Sequence, residues 1–142
     1  MCEYPQFVCI MKIIKSKKTI LVVEDEVALQ EAISIRLTAA GYFVVSAMSA
    51  EWAIELLKTV KPDLVWLDLL LPGMGGLIFL ERIRKNELLK NIPVMIVSVS
   101  GGPEKMKEAF QLNVVYFVVK SNHRLEDIIK KVDVYTAMKN TA

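Results

Sequence analysis

A chain of 142 residues, 54% hydrophobic and 24% charged, is long enough to bury one proper core and too apolar to stay disordered. Its formal charge of +2 argues against a strongly basic nucleic-acid binder, and no apolar run approaches the ~20 residues of a membrane-spanning helix. Cys2 and Cys9, the only cysteines, close a trivial loop and lack further zinc ligands, which predicts a reduced, cytoplasmic chain.

Residues 1 to 17 read as an N-terminal extension whose apolar Phe7 to Met11 run suits an interface, and 139–142 as a C-terminal tail. Thr19-Ile20-Leu21-Val22-Val23 is a continuous apolar run of the kind buried on both faces of a parallel sheet, and it ends in Glu24-Asp25-Glu26. Leu29, Ile33, Leu37 and Ala40 recur at helical spacing before Gly41, which predicts a helix over 27–40. Phe43-Val44-Val45 predicts a second strand. Ala53, Leu56, Leu57 and Val60 predict a second helix stopped by Pro62. Leu64 to Leu67 is a third strand running into Asp68, with Pro72 and Gly73 turning the chain. A third helix starts at Gly76, with Leu77, Leu80 and Ile83 inward and Arg82, Arg84 and Lys85 outward. Val94 to Val97 is the fourth strand, ending at Ser98. A short helix spans 104–111, and Val114 to Val119 is the fifth strand, ending at Lys120. Ser121 or Asn122 would cap a last helix with Leu125, Ile128, Ile129, Val132 and Tyr135 on one face.

Five strands alternating with five helices predict an α/β fold, a doubly wound parallel sheet covered on both faces. Right-handed crossovers put all strand C-termini on one edge. Glu24 and Asp25, Asp68, Ser98 and Lys120 then fall at four of the five ends. Three clustered carboxylates repel one another and call for a cation. All-oxygen ligands without Cys or His point to magnesium, with manganese as the alternative. Lys120 is a point charge suited to a phosphoryl group, and Ser98 supplies a hydroxyl. Asp68 is then a metal ligand or also a nucleophile, and the competing reading is a set of plainly capped strand ends.

These residues resemble the receiver domain of two-component response regulators, over about residues 18 to 138. The pair Glu24-Asp25 matches the family's metal pair, and Asp68 in Leu67-Asp68-Leu69-Leu70-Leu71-Pro72-Gly73-Met74 matches its phosphoacceptor. Ser98, five residues past Pro93, falls on the hydroxyl position, Lys120 on the lysine, and Phe117 on the switch aromatic. The resemblance implies a flavodoxin-like, CheY-like (βα)5 fold in three αβα layers with strand order 2-1-3-4-5. It implies Mg2+ held by Glu24, Asp25, Asp68 and the carbonyl of Leu70. The phosphoryl donor would be the phosphohistidine of a sensor histidine kinase or phosphotransfer protein. Rather than acting as an ordinary enzyme, the chain would catalyse its own phosphorylation and dephosphorylation. Ser98 would swing toward the phosphoryl group and Phe117 would turn inward, remodelling the surface of the fourth helix, fifth strand and fifth helix, through which members form homodimers. The chain would be either a stand-alone receiver or part of a longer regulator whose output domain lies outside it, with no direct nucleic-acid or membrane contact.

Three positions depart from the family pattern. Ser121 stands where a proline usually follows the lysine, so the Lys120–Ser121 bond should be trans, since a non-proline cis bond costs about 3 kcal/mol. Asn113 replaces a glycine and tolerates left-handed geometry. Gly75 replaces an acid. These departures leave open a pseudo-receiver, a docking module that works without phosphorylation. A nucleotide-binding or hydrolytic enzyme fits poorly, because Glu24-Asp25-Glu26 stands where a glycine-rich phosphate loop would be. His123, at the start of the last helix, is expected on the surface, and Trp66 in the core.

Overall fold

The structure, a computed structural model, describes residues 17–99 and 102–140. Nearly all of the expected N-terminal extension, with Phe7 and both cysteines, and the last two residues of the expected tail lie outside the described residues. The elements in order are β1 (Thr19–Val23), α1 (Val27–Ala39), β2 (Phe43–Ala47), α2 (Ala50–Leu56), β3 (Leu64–Leu67), α3 (Gly76–Lys85), β4 (Val94–Ser98), α4 (Pro103–Gln111), β5 (Tyr116–Val119) and α5 (Leu125–Asn140), with a 3-10 turn at Lys120–Asn122. The strands form one parallel sheet in the order β2-β1-β3-β4-β5, the flavodoxin-like arrangement.

Strand alternation divides the core into two layers. Leu21, Val23, Val65, Leu67, Val94 and Ile96 face α2, α3 and α4, where they meet Ala53, Phe79, Leu80, Ile83 and Ala109. Ile20, Val22, Leu64, Trp66, Met95 and Val97 face α1 and α5, where they meet Ile33, Leu37, Ile128, Ile129 and Val132. Trp66 is therefore a core residue. Tyr42 at the start of β2 reaches across to α5, its hydroxyl 2.5 Å from Asp133 Oδ1 and 3.0 Å from Thr136 Oγ1. Burial, aided by the Asp133 carboxylate, pushes the Tyr42 hydroxyl up to about 12.

The structure corrects several local expectations. Helix α2 starts earlier and ends earlier than its apolar spacing suggests. Ser49 caps it by accepting from Trp52 N, and residues 58–60 leave as turns that bond back to Glu55 and Leu56. Ser121 and Asn122 do not cap α5, because they belong to the 3-10 turn that precedes it. Strand β5 begins only at Tyr116, after Asn113 has taken φ 59°. Arg84 is not on the wet side of α3. Its guanidinium is half-buried and donates to the carbonyls of Leu112, Lys90, Ile92 and Asn113. Phe79, absent from the expected stripe, is fully buried, whereas Leu77 is only partly so.

One glycine sets how closely α3 can follow β3. A Cβ on Gly76 would stand 2.5 Å from the carbonyl oxygen of Asp68 and 2.6 Å from Leu69 Cα, both backbone atoms that a rotamer change cannot move. Gly76→Ala is predicted to cost about 1–3 kcal/mol, as overpacking does, measured as a lowered urea midpoint at unchanged slope. An unchanged midpoint would mean that the β3–α3 turn can relax freely.

Candidate functional site

The parallel register carries four polar positions to one place. Val23 pairs with Leu67, Leu67 with Ile96, and Ser98 with Val119, so Glu24, Asp68, Ser98 and Lys120 emerge side by side at the carboxyl edge. The chain leaving β1 is held by Gln30, buried on the first turns of α1. Its Nε2 donates to the carbonyls of Val22, Glu24 and Ala47 at 3.1–3.3 Å. Sequence reasoning missed Gln30. The signal was available, because Gln30, Ile33 and Leu37 lie on one helical stripe and a buried amide must find partners.

Asp68 is almost fully buried, with 4% of its surface exposed. Its Oδ2 accepts from Lys120 Nζ at 3.0 Å. Its Oδ1 accepts from Leu70 N at 3.0 Å and from Ser98 Oγ at 3.2 Å. Glu24 is 1% exposed; its Oε2 accepts from Lys120 Nζ at 2.8 Å and its Oε1 from Glu26 N at 3.2 Å. One ammonium therefore bridges two buried carboxylates. Burial raises the Glu24 carboxyl above its ordinary range and the Asp68 charge adds to this, against the pull of Lys120 and the Glu26 amide. Burial alone would lower Lys120, but its bonds and charge attraction to Glu24 and Asp68 outweigh it and the net shift is upward.

Glu24, Asp25 and Asp68 each offer one carboxylate oxygen, and these three atoms lie within 4.8 Å of one another. Asp25 is exposed, so the cluster has an open side. The set is all oxygen, with two members buried, which fits a hard divalent cation such as Mg2+.

The structure thus brings together Glu24, Asp25, Asp68, Ser98 and Lys120. Leu70 joins through its amide. Phe117 stands apart, paired with Ile96 two residues down β5 and half-buried against the layer that holds α4. No peptide bond among the described residues is cis, so Lys120–Ser121 is trans as expected, and Asn113 adopts the left-handed conformation that its side chain tolerates. His123 is exposed.

A family model described as the response regulator receiver domain matches residues 20–133. The chain belongs to this family. The receiver domain is 31% identical over 103 residues to the phosphate regulon transcriptional regulatory protein PhoB of Pseudomonas aeruginosa, covering 72% of this chain and 45% of that protein. It is 35% identical over 82 residues to the DNA-binding dual master transcriptional regulator RpaA of Synechocystis, covering 58% of this chain and 34% of the relative. The chain spans less than half the length of these relatives. Among solved structures, a CheY-like receiver domain protein of Methanospirillum hungatei superposes with TM-score 0.80 at 22% identity, covering 88% of this chain and 98% of the other. The phosphorylated cyanobacterial phytochrome response regulator RcpA superposes at TM-score 0.72 and 29% identity, covering 82% and 89%.

The bridging ammonium is expected to be structural as well as chemical. In metal-free buffer Lys120→Met should cost about 1–3 kcal/mol, because two buried carboxylates lose their shared partner. Adding Mg2+ should recover part of that loss, since a dication replaces the missing charge. Urea titrations of both proteins with and without Mg2+ check this, and an equal deficit in both conditions would contradict it.

Proposed function

We propose that this receiver domain accepts a phosphoryl group on Asp68 from the phosphohistidine of a sensor histidine kinase or phosphotransfer protein. The observation that carries this reading is the set of three donors on one buried carboxylate: Lys120 Nζ on Oδ2, with Ser98 Oγ and Leu70 N on Oδ1. Such a carboxylate is oriented and surrounded by groups that suit a phosphoryl oxygen. In the transfer an Asp68 oxygen forms the new P–O bond while the P–N bond to the donor histidine breaks, and the imidazole leaves with the bonding pair. Lys120 moves its contact from the carboxylate to the phosphoryl oxygens, and Ser98 turns its hydroxyl to another of them. Mg2+, held by Glu24, Asp25, Asp68 and the Leu70 carbonyl, would supply charge neutralisation when bound. Asp25 on the open side admits water as well, so the same site would slowly lose its phosphoryl group.

The fully buried Ser98 and half-buried Phe117 lie on neighbouring strands, which supports a coupled movement of the two. The surface that changes would be α4-β5-α5, with Met106, Phe110 and Phe117. Ala109 does not belong to it: the amphipathic turn of α4 buries Ala109 completely and leaves Phe110 half exposed. Both charge signs are present on this face, Glu104, Lys105, Lys107, Glu108 and Asp127, which supports symmetric pairing of phosphorylated copies, whereas Glu126 turns to Arg36 on α1. We place the receiver unit at residues 18–138 and its work in the cytoplasm. No helix among the described residues is long and apolar enough to cross a membrane. DNA binding, named for RpaA, would belong to an output segment and not to these residues.

Incubation with acetyl phosphate and Mg2+ should add one phosphoryl mass to the chain. Asp68→Asn, or chelation of the metal, should abolish it; persistent labelling of the substituted protein would reject Asp68 as acceptor. Absence of labelling in the native chain would favour a docking module that does not need phosphorylation.

A second outcome concerns the switch. Beryllofluoride, a phosphoryl mimic, should strengthen self-association through α4-β5-α5, seen as faster sedimentation at the same protein concentration. Replacing exposed Phe110 with Lys should remove that increment. Unchanged sedimentation at high concentration would reject this surface.

A further inference from the structure

We propose that the open edge of β2 is a docking site for a second copy of this chain, antiparallel, joining two five-stranded sheets into one. Strand β2 pairs only with β1 among the described residues. The bonds from Phe43 N to Lys18 O and from Glu24 N to Ala47 O show that residues 43, 45 and 47 turn their polar backbone toward β1. Val44 and Ser46 therefore turn theirs outward. Edge strands ordinarily carry a lysine, a proline or a bulge that blocks such pairing. Phe43-Val44-Val45-Ser46-Ala47 has no charge and no proline, and its register with β1 runs unbroken from Phe43 to Ala47.

The side chains around this edge are unusually apolar for a surface. Val27 is 60% exposed, Ile35 68% and Trp52 61%, with Phe43 and Met48 also open. Val27 and Ile35 lie on α1, Trp52 on α2, so the apolar ground flanks the strand on both faces of the sheet. A groove of about 420 Å³ runs between α1 and β2, lined in part by Ile35, Ser46 and Met48.

One two-fold register uses both outward-facing residues of β2 in full. A two-fold axis through Val45 pairs Val44 of each copy with Ser46 of the other, and each such pair exchanges two hydrogen bonds. The two Val45 residues then face each other as a close, β-branched pair. An axis through Val44 would instead require the amide of Tyr42, which already donates to Leu37 O at 3.1 Å. In the Val45 register the partner's Val44 falls opposite Ser46, beside the groove. Charge favours the same antiparallel sense. Lys17, 5.1 Å over the Phe43 ring, and Lys18 mark the start of β2. Glu26 and Glu31, at and near the start of α1, mark its far end. The two-fold brings the basic end of one copy to the acidic end of the other.

The pairing is independent of phosphorylation and uses the sheet edge opposite β5, so the unphosphorylated full chain tests it. Sedimentation equilibrium should show reversible dimers. Amide hydrogen exchange at Val44 and Ser46 should slow at least about tenfold as protein concentration rises through the dimerisation range, while Phe43 and Val45 change little. Ile35→Lys, on an exposed position that the monomer fold does not use, should weaken association about tenfold or more. A chain that stays monomeric at millimolar concentration overturns the proposal. So does a dimer whose Val44 and Ser46 amides exchange at a concentration-independent rate, or protection of them already complete in dilute monomer.

Discussion

The ammonium of Lys120 sits between two carboxylates that water hardly reaches, and the rest of the site follows from that bridge. Glu24 and Asp68 come from different strands and Lys120 from a third, so the bridge exists only while β1, β3 and β5 keep their register. Removing the amine leaves two buried carboxylates without their shared partner, which is costlier than never having placed them there. The supporting contacts have the same purpose. Gln30 fixes the backbone from which Glu24 departs, Ser98 and Leu70 N orient Asp68, and Gly76 lets α3 approach closely behind it.

The two bridged carboxylates are not equivalent. Asp68 has three donors, whereas Glu24 has the amine and one long amide bond and feels the Asp68 charge. Glu24 therefore holds its charge reluctantly, chiefly because it is buried and partly because the Asp68 charge lies beside it. Asp25 supplies a third carboxylate with its solvent shell largely intact. A cation entering from solvent would meet the exposed Asp25 before the buried pair, which Lys120 already part-neutralises. A cluster without the lysine would hold cations more strongly and release them less readily.

The strand-end constellation was legible in the sequence because each member follows an apolar run, and in a parallel sheet every such end lies on one edge. The two core layers were legible for the same reason: unbroken Val, Ile and Leu runs fit strands covered on both faces. Contacts joining residues distant in sequence were not. Nothing in the local pattern of α3 tells that Arg84, in a row of basic residues, turns to carbonyls more than twenty residues onward. Tyr42 with Asp133 is the same kind of case, a pair that exists only once α5 has packed beside α1. The ends of α2 and α5 were misjudged because apolar spacing continues through turns. The cap at Ser49 and the 3-10 turn after β5 decide where the helices begin. In the short α4 one residue of phase separates core from surface: Ala109 is fully buried and its neighbour Phe110 half exposed.

The Arg84 guanidinium has a mechanical consequence. Four backbone carbonyls converge on it, two from the chain entering β4 and two, Leu112 and Asn113, from the C-terminal end of α4. Burial makes this cation harder to ionise than usual, yet an arginine keeps its charge at any ordinary pH, so the clamp does not titrate away. Helix α4 is thus held at its C-terminal end, at Leu112, while its first residue, Pro103, lies at the end far from Arg84. If Ser98 turns as proposed, its effect on α4 would act on the end far from Arg84, where leverage is greatest, and would swing the helix about Arg84. The amplitude of that swing should grow along α4 from Gln111 back to Pro103, and lengthening or shortening the helix by a turn would rescale it.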